Sequence, residues 1–216
     1  MVRKLGCGAG ESGSGAGRIT QTLSEEEPSN PMPFPFAHKV EEKLFEARQV
    51  FLFGQVDQDV ARQISQKLLA LAATSADDIT LLINSQGGHV EAGDTIHDMI
   101  QFVEPHVKIL GTGWVASAGA HIYFAVPRED RYCLPNTRFM LHQPHGGVSG
   151  QAVDIGIEAK EIVKMRQRLN RTIAEATGQP LERVEKDTDR NFWMSAEEAR
   201  DYGIVGTIVR SASELT

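Results

Sequence analysis

Between residues 49 and 126 the chain alternates short apolar runs with segments of helical period, and glycines gather where the runs end. That alternation constrains the fold more than any total does. QVFLFGQV (49–56) has the character of a buried strand, DQDVARQISQKLLALAAT (57–74) of a helix with Asp57 as N-cap, and DITLLIN (78–84) of a second strand. SQGGHVEAGDTIHDMIQFV is a glycine turn running into a helix, and VKILGTG (107–113) a third strand. VASAGAHIYFAV (115–126) is predicted as a helix, although its periodicity also permits a strand. HKVEEKLFEAR precedes this region as a short amphipathic helix. RYCLPNTRFMLHQP follows it as two extended pieces around Pro135. A long helix is predicted from Ala152 to Thr177, stopped by Gly178, then a capping box of Ser195 and Glu198, then IVGTIV as a last strand. Strands alternating with helices imply an α/β protein with a largely parallel sheet, whose sites form at the carboxyl ends of strands.

Residues 1–36 have a different character. Glycines crowd the first 17 positions and SEEEPSNPMPFPF follows, so a flexible N-terminal tail is expected, with one folded domain over 37–216. GAGESGSG in that tail resembles a phosphate-binding loop, but Ser14 and Gly15 stand where the pattern needs Lys and then Ser or Thr, and no strand precedes it. A net charge of −7 argues against nucleic acid, and no apolar run is long enough to span a membrane. The basic start has no apolar core behind it, which predicts a cytoplasmic protein. Cys7 and Cys133 are the only cysteines, one of them in the tail, so no structural disulfide is expected.

Three strand ends carry chemically capable residues. Asn84-Ser85-Gln86-Gly87-Gly88 could aim backbone N–H groups at a developing oxyanion, or be a plain tight turn. Ser117 in GWVASAGA sits among small residues where a strand gives way to a helix, a setting for a nucleophile as well as for a close-packed helix. It is not a G-x-S-x-G elbow, because Val115 stands two residues before it. His142 ends the apolar run FMLH, where it could serve as a base or as a core histidine. A metal set from His89, Asp94, His97 and Asp98 is a further option, with Asp94 and His97 on one helical face.

Taken in order, NSxGG, GWVASAGA, MLHQPHGG, GQAVDI, DTDR and MSAEEARDYGIV resemble the ClpP family, the proteolytic subunits of Clp proteases. The resemblance covers roughly residues 45–210 without a gap. It implies a ClpP/crotonase-like superhelix of repeated β-β-α units with a protruding strand-helix handle. It implies a serine endopeptidase without metal or cofactor, in which Ser117 is the nucleophile, His142 the base, and the N–H groups of Gly88 and Ala118 the oxyanion hole. The position of the triad acid falls on Asn191, an amide. An asparagine can accept the ring N–H but brings no charge to the imidazolium, which implies slow or conditional activity. Asp187 and Asp189 are alternative acids nearby.

The resemblance also implies seven-membered rings stacked into a tetradecamer, with unfolded polypeptide or short peptides as substrate. The handle would be His145–Thr177: a Gly-rich strand, GGVSGQA, and the long helix, whose Val153, Ile157, Ile162, Val163, Met165, Leu169 and Ile173 recur at helical spacing. Asp189 and Arg190 match residues that pair between rings. A second ClpP paralogue is an implied partner because of Asn191. A AAA+ unfoldase is the family's usual partner, but three features depart from its pattern. The tail lacks an axial-loop motif. Thr80-Leu81-Leu82 replaces docking aromatics, although Phe102 and Tyr132 remain. Gln86 replaces the proline before Gly-Gly. Two other readings stand beside this one: a crotonase-like binder of acyl-CoA thioesters, and a structural or regulatory ring subunit with little activity of its own.

Overall fold

The computed structural model describes residues 37–145, 147 and 149–215. The tail expected over 1–36, its GAGESGSG segment and Cys7 lie outside the described residues. Helix α1 (Ala37–Glu46) leads into strand β1 (Gln49–Val56), and helix α2 (Gln58–Thr74) follows. Asp57 caps α2 as predicted, its carboxylate accepting the N–H of Val60 at 2.8 Å. Strand β2 (Ile79–Gly88), helix α3 (Val90–Phe102) and strand β3 (Val107–Ala116) complete two parallel β-α units. Helix α4 (Ala118–Tyr123), strands β4 (Arg131–Cys133) and β5 (Arg138–Leu141) and helix α5 (Ala152–Thr177) come next. Helix α6 (Leu181–Asp187), strand β6 (Phe192–Met194), helix α7 (Ala196–Tyr202) and strand β7 (Thr207–Ile208) close the chain.

The fold is α/β, as expected. Its sheet runs β1-β2-β3-β4-β7, all parallel, with β5 continuing beside the far end of β3 and β6 antiparallel to β5. Burial along β2 alternates, placing Ile79, Leu81 and Ile83 at 0% exposure against the helices. Each such side chain contributes on the order of 1.5–3 kcal/mol of apolar burial. The same face continues through Ser85 and Gly87, so the core side of β2 leads directly into the site. Among the described residues no helix is long and apolar enough to cross a membrane.

Several expectations need correction. The Gly87-Gly88 pair is not a turn beyond a strand. β2 stays extended through Gly88, pairing with Gln55 and Val56 after a register shift. The helix expected over 115–126 is cut to six residues, because β3 keeps its pairing through Ala116 and the chain then turns sharply at Ser117. The described residues of GGVSGQA form no strand, so the handle is carried by α5. All of residues 152–161 are exposed, whereas the second half of α5 packs down through Asn170 and Ile173. Helix α6 and strand β6 were not anticipated.

Candidate active site

Ser117 is held by its backbone before its side chain does anything. Its φ of 55° and ψ of −122° are rare for a residue with a Cβ, and they throw the side chain out of the corner between β3 and α4. The corner is pinned by the N–H of Ser117 donating to the carbonyl of Met140 at 2.9 Å. Gly87 permits the close approach on the other side. A Cβ built there would lie 2.5 Å from Cβ of Ser117, 2.8 Å from the carbonyl of Ala116 and 2.9 Å from the nitrogen of Ala118. The Gly-Gly segment and the first residue of α4 therefore face each other across the serine.

Strand register supplies the other two groups. β3 and β5 pair through Ala116 and Met140, so the next residues outward are Ser117 and Leu141, then His142. β5 and β6 pair Leu141 with Phe192 in antiparallel register, so one step further brings His142 opposite Asn191. The side chains then complete a chain of contacts. Nε2 of His142 lies 2.7 Å from Oγ of Ser117, and Nδ1 lies 3.1 Å from Oδ1 of Asn191. An amide oxygen can only accept, so Nδ1 carries the proton and Nε2 presents its lone pair to the serine hydroxyl. Burial holds His142 below the ordinary histidine value, the neighbouring His145 ring adds to that, and the bond to Asn191 opposes it. A neutral, accepting imidazole is the form a base requires.

The alternative acids are engaged elsewhere. Asp187 accepts from the Tyr202 hydroxyl at 3.0 Å, and Asp189 from Nε2 of Gln143 at 3.3 Å. The carbonyl of Thr188 also accepts the N–H of Gln143 at 2.6 Å, which ties the DTDRN loop to the residue after the histidine. The metal set separates as well: His89 pairs with Glu91, His97 with Asp98, and Asp94 with His121 and Arg168. Cys133 is buried, and burial pushes its thiol up to about 12. The aromatics expected to face a docking partner divide: Phe102 is 75% exposed, while Tyr132 is buried beside Leu110 and Val209.

Ser85 was not anticipated as part of this site. Its hydroxyl donates to the carbonyl of Gly54 at 2.6 Å and accepts the N–H of Gly87 at 3.0 Å, fixing the strand that passes Ser117. Gln86, in the amide orientation that satisfies both its atoms, donates to the carbonyl of Gly54 and accepts the N–H of Gln55, which ties this end of β2 to β1. The polar Asn84-Ser85-Gln86 run before Gly-Gly was the available signal. Its meaning depended on knowing that β1 lies alongside.

A serine hydroxyl on an imidazole, at a strand-to-helix corner beside a glycine-lined strand, defines the site as that of a serine hydrolase. The Clp protease family model matches residues 36–212, and the chain belongs to that family. It is 55% identical over 191 residues to the ATP-dependent Clp protease proteolytic subunit 3 of Rhizobium etli, covering 88% of this chain and 98% of that one. It is 54% identical over 211 residues to the proteolytic subunit 2 of Gluconobacter oxydans, covering 92% and 94% of the two chains. Among solved structures, ClpP1 of Listeria monocytogenes is 55% identical with a TM-score of 0.75, covering 82% of this chain and 99% of that one. An asparagine-to-aspartate mutant of the same protein gives a TM-score of 0.77 at the same identity and coverage. The fold is that of ClpP.

Proposed function

We infer that this chain is the proteolytic subunit of a Clp-type serine endopeptidase that cleaves unfolded polypeptides and short peptides through an acyl-enzyme on Ser117. One observation carries the assignment of roles: the unbroken contact from Asn191 through His142 to Ser117. In this reading the hydroxyl of Ser117 attacks the scissile carbonyl as Nε2 of His142 takes its proton. The same nitrogen returns the proton to the leaving amine. Water then attacks the ester with His142 again as base. The N–H groups of Gly88 and Ala118 bind the oxyanion, a reading supported by the contact of the Gly-Gly strand with the start of α4. Asn191 orients the ring and leaves the imidazolium uncompensated, so turnover is slow for this class.

The catalytic domain in this reading runs over residues 37–216, and the family match from residue 36 supports that boundary. The subunits form seven-membered rings stacked in pairs through α5, whose Val153, Ile155, Ile157 and Val163 are exposed without a partner in one chain. The names of the relatives support an ATP-driven partner and a cytoplasmic setting, where ATP is available. A second, more active paralogue in mixed particles accounts for an amide at the acid position. The test is labelling of the purified protein by a fluorophosphonate, with Ser117→Ala as the blank. Labelling confined to Ser117 supports the reading, and its absence from the assembled particle rejects it.

A further inference from the structure

Beside Ser117 a pocket runs inward, walled by Val90, Ala118, His121, Leu141, Leu169 and Ile173. Ser117 and His142 stand at its edge, so on the reading above it receives the substrate side chain on the acyl side of the scissile bond. Its wall is apolar except for His121. Ala118 and His121 lie three residues apart on α4, so His121 sits a turn deeper than the mouth, and the wall ends at Phe124.

His121 is held on two sides. Its Nε2 lies 2.9 Å from Oδ1 of Asp94 on α3, and its ring stacks on His97 with centroids 4.6 Å apart and planes 5° from parallel. Asp94 is gripped from its other side by Arg168 of α5, which donates to its two oxygens at 2.8 and 2.7 Å. Burial alone would raise the Asp94 carboxyl, but the bonds from His121 and Arg168 outweigh it and keep the group well below the usual carboxylate range. Asp94 is thus an anion with both oxygens committed, joining three helices behind one pocket wall. Such bidentate, charge-assisted contacts fix geometry more tightly than apolar packing does.

We propose that Asp94 is a positioning residue for peptide cleavage: by bridging His121 to Arg168 it fixes the inner wall of the pocket and so limits the side chain taken there to a medium-sized apolar one such as leucine. With the tether gone, the imidazole can swing and the depth of the pocket is no longer set. Aromatic side chains are then admitted and leucine loses its close fit. Asp94 touches no reacting atom and acts through His121.

The test measures binding, so it needs no turnover. In assembled Ser117→Ala protein, the dissociation constants of labelled product-type hexapeptides ending in leucine or phenylalanine are compared. The parent is expected to prefer the leucine peptide by about tenfold, within the range that a methylene-scale fit provides. Asp94→Ala, which removes both oxygens, should weaken the leucine peptide about tenfold and bring the two peptides within twofold of each other. Asp94→Glu should recover most of the preference. Asp94→Ala combined with His121→Phe should bind like either single variant, because both act on one contact. If Asp94→Ala fails to assemble, His121→Phe, which leaves the Asp94–Arg168 pair intact, carries the same comparison. Equal weakening of both peptides, no change, additive effects or no binding by the parent overturns the proposal. Absent labelling of Ser117 in the unmodified protein rejects the peptidase reading instead, and the two failures are separable.

Discussion

The amide oxygen of Asn191 faces Nδ1 of His142 at 3.1 Å, while Nε2 of the same ring lies 2.7 Å from Oγ of Ser117. In the proposed mechanism the contact with Asn191 selects the productive tautomer, so orientation is kept and only charge is missing. In trypsin-like enzymes exchanging the acid for its amide costs about four orders of magnitude in kcat, partly through the wrong tautomer. Here the tautomer is already right, so Asn191→Asp is expected to raise kcat by about 10- to 1,000-fold. Hydrolysis of a fluorogenic peptide by the assembled protein measures it, and a gain below twofold would contradict this account.

The proposed role of His142 as base also predicts a pH limb. Its imidazole must be neutral to accept the serine proton, and burial with the His145 ring 4.4 Å away holds it below its ordinary value. Activity is therefore retained at acid pH until the medium falls through that lowered value. The acid limb of kcat/KM is expected below about 6.5. An aspartate at 191 stabilises the imidazolium, so the limb of Asn191→Asp should move to higher pH. Replacing His145 by glutamine should move it the same way by less. A shift in the opposite direction in a pH–rate profile would show that another group controls the limb.

Gly87→Ala should abolish labelling of Ser117. The added methyl meets Cβ of Ser117 at 2.5 Å, and φ of +92° strains any residue with a Cβ. Strain and overpacking together cost about 2–4 kcal/mol. Differential scanning calorimetry should show a fall of several degrees, and an active, equally stable variant would mean that the strand moves away freely.

Ser85→Ala removes one hydroxyl, orphans the N–H of Gly87 and leaves the carbonyl of Gly54 with the Gln86 amide alone. Ser85 is wholly buried, so water cannot replace them easily. A loss of about 1–3 kcal/mol is expected, together with slower labelling of Ser117 as the glycine strand loosens. Thermal melting and probe kinetics on one sample check both effects.

Val153 and Ile157 lie one turn apart on the unpacked half of α5, 74% and 54% exposed. Changing both to glutamate should halve the particle mass seen by analytical ultracentrifugation, leaving single rings, because charge cannot be buried there without a partner. The fold of one chain should survive, since neither residue packs on its own domain. An unchanged stacked particle would place the ring contact elsewhere.

Local pattern determined much of this protein. The apolar period of two in β2, the period near 3.6 in α2 and α3, and the caps at Asp57 and Ser195 depend on neighbours in the chain, so they were legible without a structure. The order of Gly-Gly, serine and histidine segments, matched to a known family, singled out Ser117 and His142, which the fold brings within 2.7 Å of each other. Other features were decided only in three dimensions. The length of α4 follows from how far β3 stays paired, and β6 is a three-residue strand that exists because β5 is there to pair with it. The orientation of Asn191 and the engagement of Asp189 follow from strand register and side-chain competition across 49 and 46 residues of chain, and that of Asp187 from a partner 15 residues on. The joining of Asp94, His121 and Arg168 is the clearest case. The sequence offered Asp94 only for a metal set and gave no sign of His121 or Arg168, and the packing of α3, α4 and α5 alone makes them one structure.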